Sequence, residues 1–242
     1  MTMLADNFEQ LEAEIVAACR NVGRARAEVE LMAVSKTYPA STIADAAALG
    51  LTLFGENRVQ EFAVKAAELK PLRESAITPI RVHLIGHLQS NKAQRAVELF
   101  DAIDSLDSLK LAERLNEAAG KLGKRLPVLI EVKLSREETK SGLQPESVEA
   151  AQLLERMPEL VNLHLQGLMT IAPFGVPDDE TRACFRNLRE WRERWAAAHS
   201  KLNFDVLSMG MSSDFDLAIE EGATRIRIGT ILFGQRLALG KN

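Results

Sequence analysis

The sequence predicts an α/β fold, a (β/α)8 TIM barrel with an extra N-terminal helix. About eight short apolar segments alternate with amphipathic segments along the 242 residues, which is typical of a parallel sheet with helices between its strands. The short segments are apolar at almost every position, as expected for strands that are buried on both faces. Eight such units in roughly 250 residues match the size of a barrel, and an open doubly wound sheet is the alternative. Because no linker, repeat or low-complexity segment interrupts the pattern, we expect a single domain over residues 1–242.

The predicted elements follow one another in a regular order. Apolar residues from Leu4 to Cys19 recur at helical spacing, and this first helix ends near Gly23. Strands are predicted at 31–35, 51–55, 81–86, 101–106, 127–134, 163–171, 204–210 and 224–229. Helices are predicted between them at 41–49, 58–69, 91–99, 108–119, 145–157, 179–199 and 213–221, and the polar segment 134–144 is predicted to be a loop. No helix is predicted after the last strand, so we expect the first helix to occupy that slot.

The composition narrows the class of protein. With 46% hydrophobic and 26% charged residues and a net charge of −4, the chain is typical of globular proteins and does not favour nucleic acid or an anionic membrane as a partner. The first residues carry acids rather than a basic, apolar signal region, and no apolar run is long enough to span a bilayer. The two cysteines, Cys19 and Cys184, show no metal or redox spacing. We therefore expect a cytoplasmic protein without a metal, a nucleic-acid partner or a membrane partner.

The first candidate functional residue is Lys36, in the segment ELMAVSKTYP. Barrels of this kind carry their active sites at the carboxyl ends of the strands, and Lys36 directly follows the first predicted strand. A lysine that loses solvent has a lowered pKa, and its neutral amine can attack a carbonyl to form a Schiff base. The alternative is that Lys36 simply extends its ammonium group from the strand end into water.

The last strand contains two arginines in the segment RIRIG. Side chains alternate across a strand, so we expect Ile226 and Ile228 to face the helices and Arg225 and Arg227 to face the barrel interior. A buried arginine needs acceptors, and we expect Glu131 or an aspartate to satisfy Arg225 as part of a structural ion pair. Arg227 lies nearer the barrel mouth, where contact with a ligand and a purely structural role are both open.

The last two strand ends suggest an anion site. Phosphate often binds in these barrels at the turns after strands seven and eight, where backbone N–H groups are available. Hydroxyl donors and small residues stand at these turns, namely Ser212, Gly229 and Thr230. The alternative is that the sequence Ser212–Asp214 only caps the next helix. Asn57 also follows a strand, and capping and ligand contact are both open for it. Pyridoxal 5′-phosphate (PLP) and the sugar phosphate of a Schiff-base aldolase both suit such a site.

Several segments then resemble one known family. The motifs VSKTYP, FGENRVQE, HLIGHLQSNK, EETKSGLQPE, GLMTIAP and SMGMSSDFDLAIEEGATRIRIGTILFG, spread over nearly the whole chain, are similar to those of pyridoxal phosphate homeostasis proteins. Members of that family are single barrels that resemble the N-terminal domain of alanine racemase. The resemblance implies a protein that binds PLP and carries or buffers it in vitamin B6 and amino-acid homeostasis, with PLP-dependent apoenzymes as partners. His87 departs from the family, where proline is common, and Lys140 lies in the family's polar loop.

The resemblance also assigns roles to the candidate residues. It implies that Lys36 holds PLP as an internal aldimine, that Arg227 faces the pyridine nitrogen and that Asn57 lies beside the ring. It implies that the phosphate is bound by Ser212, Gly229 and Thr230.

The same resemblance bears on catalysis. Many PLP enzymes place an acid at the ring nitrogen, whereas an arginine there leaves the nitrogen unprotonated and weakens carbanion stabilisation. The only tyrosine, Tyr38, is too close to the lysine to serve as a base on the opposite face of the ring. We therefore expect a PLP-binding regulator without catalytic turnover. We also expect the protein to be a monomer. A weak PLP-dependent amino-acid racemase is the alternative.

Overall fold

The computed structural model describes residues 2–134 and 141–234, and these form a closed barrel of eight parallel strands. Each strand pairs with its neighbours in sequence, and the last strand pairs with the first, with Glu30 opposite Arg225 and Met32 opposite Arg227. The strands are β1 (Glu30–Val34), β2 (Leu53–Glu56), β3 (Arg81–Leu84), β4 (Ala102–Leu106), β5 (Leu126–Glu131), β6 (Leu163–Met169), β7 (Val206–Ser208) and β8 (Arg225–Ile228). The predicted (β/α)8 barrel is confirmed, and the open sheet is excluded.

Helices alternate with the strands on the outside of the barrel. They are α1 (Met3–Asn21), α2 (Ala40–Ala48), α3 (Val59–Arg73), α4 (Ala93–Leu99), α5 (Leu109–Lys121), α6 (Val148–Arg156), α7 (Asp178–Ala198), α8 (Phe215–Glu220) and α9 (Thr230–Phe233). Helix α1 packs against α8 and α9, so it occupies the position beside β8 that the sequence predicted for it. None of the helices within the described ranges is long and apolar enough to cross a membrane. Part of the predicted loop 134–144, including Lys140, lies outside the described residues.

Helix boundaries differ from the predictions where side chains act on the backbone. Helix α6 begins three residues later than predicted, because the Ser147 hydroxyl accepts a hydrogen bond from the Ala150 N–H at 3.1 Å and caps the helix there. Helix α3 continues past residue 69 and through Pro71 to Arg73, whose guanidinium donates to the Leu99 carbonyl oxygen at 2.7 Å. That contact anchors the last turn of α3 although Pro71 removes one helical hydrogen bond.

The core has two parts, one on each side of the barrel wall. Outward-facing residues of the strands, such as Leu31 and Ala33 in β1, join one large cluster with the helices. Inward-facing apolar residues form a small separate cluster of Met32, Val34, Leu53 and Ile85. Even-numbered residues of β1 therefore face the interior and odd-numbered residues face the helices. This alternation decides where the residues that follow β1 point.

Charged residues fill the amino-terminal half of the interior. Arg225 donates to Glu30 Oε2 at 2.8 Å and to Asp104 Oδ2 at 3.1 Å, and Asp104 Oδ1 lies 3.0 Å from Nδ1 of the buried His83. Burial alone would raise the pKa of Asp104, but its interactions with His83 and Arg225 outweigh that effect and lower the pKa. An aspartate thus satisfies Arg225 as predicted, together with Glu30, whereas Glu131 is not among its partners.

The two cysteines and one tryptophan are buried in the helices. Cys19 in α1 and Cys184 in α7 are both buried. Trp195 is 6% exposed in the Arg/Glu-rich helix α7, so this tryptophan packs inward while the helix presents charges to solvent.

Candidate functional site

Lys36 lies at the barrel mouth, two residues after the end of β1. It has the same parity as Met32 and Val34, which face the interior, and it is half-buried. Its neighbour Ser35 has the opposite parity, and the Ser35 hydroxyl donates to Glu56 Oε1 at 2.7 Å on the outer side of the wall. Lys36 therefore continues the parity of the inward-facing residues of β1, which is the orientation that the Schiff-base hypothesis requires.

A buried group of charged residues lies on the outer side, directly behind the turn that carries Lys36. Lys65 in α3 is only 7% exposed, and its Nζ donates to Glu56 Oε1 at 2.8 Å, to the Ser35 carbonyl oxygen at 3.1 Å and to Glu61 Oε1 at 3.3 Å. Burial raises the pKa of Glu56, and the hydrogen bond from Lys65 opposes that rise. Sequence reasoning missed this group, although Glu61 and Lys65 stand at i,i+4 spacing.

The turn itself has an unusual backbone. Thr37 has a φ of 71°, and among the described residues it is the only non-glycine residue with positive φ. That conformation costs roughly 1–2 kcal/mol for an ordinary residue. The Thr37 N–H donates to the Glu61 carboxylate, which holds the turn against α3. Tyr38 follows, and its hydroxyl donates to the Gly234 carbonyl oxygen at 2.8 Å, so the turn is also tied to the end of the β8 segment.

Arg227 lies inside the barrel, close to its mouth. It is buried, and its guanidinium donates to Ser208 Oγ at 2.9 Å and to the Thr170 carbonyl oxygen at 2.8 Å. Burial lowers the pKa of Arg227 to about 10, which still leaves the guanidinium charged at neutral pH. The inward orientation predicted from strand parity is confirmed. A fixed positive charge therefore lies on β8. This strand pairs with β1, which leads to Lys36.

Glu131 lies at the end of β5, opposite β1 in the ring of eight strands. It is 4% exposed, and its Oε1 accepts a hydrogen bond from the Ser141 hydroxyl at 3.0 Å. Its Oε2 is buried and has no hydrogen-bond partner within the part of the chain that the structure describes. Burial raises the pKa of Glu131, and the charge of Arg227 opposes this rise. A buried oxygen without a hydrogen-bond partner costs free energy. Glu131 Oε2 is therefore available to a ligand group in the mouth that can donate a hydrogen bond.

The predicted phosphate residues lie in the turns after β7 and β8. Gly229 approaches β1 so closely that a Cβ there would lie 3.3 Å from the Val34 carbonyl oxygen. Ser212 is half-buried in the turn before α8, and Thr230 is exposed at the start of α9. The Arg227 N–H donates to the Gly210 carbonyl oxygen at 3.0 Å, which brings the β7 turn beside β8. These three residues therefore lie in the two turns that follow β7 and the strand of Arg227.

The alternative role for Ser212–Asp214 as a helix cap is not seen. Helix α8 begins at Phe215, later than the predicted residue 213, and no side chain caps it. Asp214 instead turns back and accepts a hydrogen bond from the Met211 N–H at 2.6 Å. The carboxylate closes the turn on itself, and the two serine hydroxyls are not used by the helix.

Asn57 and His87 follow β2 and β3. Asn57 is half-buried, and its carbonyl oxygen would lie 2.3 Å from a Cβ on Gly86, so only glycine permits this contact between the two turns. His87 Nδ1 lies 2.8 Å from Asp107 Oδ2, and the imidazole is more than half exposed. Asn57 does not cap α3, whose first turn follows Arg58 without a side-chain cap. The structure thus places Asn57 at the mouth, on the opposite side of β1 from β8.

The chemistry of these groups suits an anionic aldehyde. An amine that follows β1 can bond to a carbonyl carbon, and a guanidinium on β8 can donate a hydrogen bond to an electron-rich ring nitrogen. Gly229 has no side chain that could cover its backbone at the start of α9, and the hydroxyls of Ser212 and Thr230 are donors that suit a phosphate. The residues present therefore fit PLP.

Comparison with known proteins identifies the class. The family described as "Alanine racemase, N-terminal domain" matches residues 9–237. A pyridoxal phosphate homeostasis protein of Pseudomonas aeruginosa is 42% identical over 236 residues, which cover 98% of this chain and 97% of that protein. One from Escherichia coli K12 is 39% identical over 237 residues, with 98% of both chains covered. The chain belongs to the alanine racemase N-terminal domain family and, within it, to the pyridoxal phosphate homeostasis proteins.

Solved structures agree with this assignment. PipY of Synechococcus elongatus, described with PLP bound, is 43% identical and superposes with a TM-score of 0.78 over 92% of this chain and 100% of that one. An alanine racemase of Clostridium difficile superposes with a TM-score of 0.68 over 94% of this chain and 57% of that one. Its identity of 17% shows the shared fold alone.

Proposed function

We propose that this protein binds PLP through Lys36 and carries or buffers the cofactor in vitamin B6 and amino-acid homeostasis. The observation that carries the proposal is that Arg227 faces the interior on β8, which pairs with β1, while Lys36 follows β1 and continues the parity of its inward-facing residues. Relatives that match the chain over nearly its whole length bear the name pyridoxal phosphate homeostasis protein, and PipY is described with PLP bound. These likenesses support PLP over the sugar phosphate of an aldolase.

In this proposal each candidate residue has one role. Lys36 Nζ adds to the aldehyde carbon of PLP, water leaves, and the resulting C=N bond is the Schiff base. Arg227 faces the pyridine nitrogen and Asn57 lies beside the ring. The phosphate is bound by Ser212, Gly229 and Thr230.

We propose further that the protein has no catalytic turnover of its own. An arginine holds the ring nitrogen without donating a proton, which limits the carbanion stabilisation that PLP supplies to enzymes. Tyr38, the only tyrosine, uses its hydroxyl to hold Gly234 and packs its ring 5.0 Å from that of Phe233, so its placement suits a structural tie. We propose that residues 1–242 act as one PLP-binding domain, as a cytoplasmic monomer that serves PLP-dependent apoenzymes.

Reduction with borohydride tests the site. The purified protein is mixed with PLP, reduced, digested and mapped by mass spectrometry, and a pyridoxyl group on the peptide containing Lys36 is the expected result. Lys92→Ala, which removes a lysine beyond the β3 turn, is the matched control and keeps the adduct. An adduct on other lysines with Lys36 unmodified contradicts the proposal.

Assays of turnover then separate the carrier from a weak racemase. Alanine and other amino acids are incubated with the PLP-loaded protein, and the D- and L-forms are separated by chiral chromatography. The expected result is no conversion above free PLP. Conversion that Lys36→Ala abolishes would establish an enzyme instead.

A further inference from the structure

The buried charged group behind the Lys36 turn has no part in the proposed contacts with PLP. Lys65 lies on the helix side of the barrel wall, while PLP is proposed to bind on the inner side. A lysine is seldom buried to this extent unless it is paired. Lys65 donates to three residues. Ser35 belongs to the turn that carries Lys36, whereas Glu56 and Glu61 bind that turn through their carboxylates.

The contacts bracket Lys36 on both sides along the backbone. On the amino side, the Ser35 carbonyl oxygen accepts from Lys65 and the Ser35 hydroxyl donates to Glu56. On the carboxyl side, the Thr37 N–H donates to Glu61. The two peptide groups that flank Lys36 are thus each held by a charged side chain. Because these peptide groups set the direction of the Cα–Cβ bond, they also set where the Lys36 amine can reach.

The backbone conformation of Thr37 depends on contacts of this kind. A threonine with φ of 71° does not hold that conformation by its own preference, and surrounding contacts must impose it. The Glu61 carboxylate supplies such a contact, and Lys65 in turn lies 3.3 Å from Glu61 Oε1. Removal of the Lys65 ammonium group therefore releases the Ser35 carbonyl and loosens the position of Glu61 together.

We propose that Lys65, with Glu56 and Glu61, is a positioning residue that aims the Lys36 amine at the aldehyde of an incoming ligand. The inference rests on the proposed function and adds a determinant of how fast the Schiff base forms. Displacement of a reacting group by about 1 Å can cost on the order of 10²-fold in rate, so loss of this support is expected to be kinetically visible.

The test compares two ligands that differ only at the reacting carbon. PLP has an aldehyde, whereas pyridoxine 5′-phosphate has an alcohol at the same position and binds without reacting with Lys36. Schiff-base formation with PLP is followed by stopped-flow absorbance over a range of pH, and affinity for pyridoxine 5′-phosphate is measured by calorimetry. In Lys65→Met we expect the Schiff base to form about tenfold or more slowly, with the affinity for pyridoxine 5′-phosphate unchanged.

Three variants complete the design. Lys65→Arg retains the charge and the donors and is expected to recover part of the rate. Lys70→Met changes an exposed lysine of the same helix and is expected to leave the rate unchanged. Glu61→Ala releases the Thr37 N–H while the buried Glu56–Lys65 pair stays in place, and it is expected to slow the reaction in the same direction. Glu61→Ala decides the matter if Lys65→Met does not fold.

The outcomes distinguish failure of the positioning role of Lys65 from failure of the proposed PLP-binding function. A normal rate of Schiff-base formation in Lys65→Met or, where that variant does not fold, in Glu61→Ala overturns the positioning role. Equal weakening of both ligands also overturns it, because a merely structural residue would affect the two alike. If the wild-type protein itself forms no Schiff base on Lys36, the proposed function fails, and the inference fails with it.

Discussion

The Tyr38 hydroxyl donates a hydrogen bond of 2.8 Å to the Gly234 carbonyl oxygen, and so joins the turn after β1 to the segment after β8. Lys36 lies two residues before Tyr38, and Thr230 lies four residues before Gly234. One hydrogen bond therefore connects the two regions proposed to hold opposite ends of the same ligand. Changes at either region are expected to affect ligand binding more than stability of the barrel.

Lys36→Ala is expected to abolish the Schiff base and leave the fold intact. The side chain is half-buried and follows the strand, so its loss creates no large cavity, and the free energy of unfolding should change by less than about 0.5 kcal/mol. Absorbance spectra taken before and after addition of PLP report the Schiff base, and urea denaturation reports stability. A variant that still shows the bound chromophore would remove Lys36 from the site.

Arg227→Met is expected to weaken both ligand binding and stability. The substitution leaves Ser208 Oγ and the Thr170 carbonyl oxygen without their donor, and each unsatisfied buried group costs about 1–3 kcal/mol. Affinity for PLP should fall at least about tenfold, which corresponds to about 1.4 kcal/mol. Equilibrium dialysis and urea denaturation measure the two effects. Arg227→Lys, which keeps a positive charge, should lose less affinity; full affinity in Arg227→Met would assign the residue to stability alone.

Asp104→Asn is expected to destabilise the barrel most strongly at neutral pH. It removes the carboxylate that Arg225 and His83 share, and breaking a buried ion pair costs about 3–5 kcal/mol. Because folding lowers the pKa of Asp104, its contribution is complete above the unfolded value of about 3.9 and is lost as pH falls through the folded pKa. Urea midpoints of wild type and variant should therefore converge in acid, whereas a constant difference from pH 7 to pH 3 would contradict this account.

Glu131→Gln is expected to have the opposite dependence on pH. Burial raises the pKa of Glu131, so the folded state holds the proton more tightly than the unfolded chain does. The wild type then loses stability as pH rises from about 4.3, the unfolded value, to the raised folded pKa. The variant lacks that loss and should be more stable than wild type at pH 7 but equal to it below about pH 4.

The measurement for Glu131→Gln is thermal unfolding across this range. Glutamine can still accept the hydrogen bond from Ser141, so the comparison isolates the charge. Glu146→Gln, at an exposed position, is the control and should show no such change. A variant less stable than wild type at neutral pH would indicate that Glu131 is ionised and paired.

The sequence predicted the barrel because burial on both faces leaves a strong apolar pattern at every strand. It also predicted that Arg225 and Arg227 face inward, since strand parity depends only on alternation. It could not identify Asp104 as the partner of Arg225, because that contact joins β4 to β8 across the interior. The roles proposed for Lys36 and the phosphate residues remain predictions, supported by their positions at the mouth and by the family.

Tertiary contacts decided the backbone where local signals left alternatives open. The sequence Ser212–Asp214 looks like a helix cap, yet the carboxylate of Asp214 bonds backwards to Met211. Lys65 reads as an ordinary lysine on a surface helix, and only the packing of α3 against the strand ends buries it. Its i,i+4 relation to Glu61 was the one available signal, and that spacing occurs on many exposed helices.

Helix α1 precedes all eight strands in the chain. It packs on α8, which follows the seventh strand, and on α9, which follows the eighth. During synthesis this helix lacks its complete docking surface until α9 has emerged and the ring has closed. Such a dependence on distant contacts slows folding and leaves apolar side chains such as Leu11 and Ile15 exposed meanwhile. Nascent chains that stall before β8 should thus be the ones most in need of chaperones.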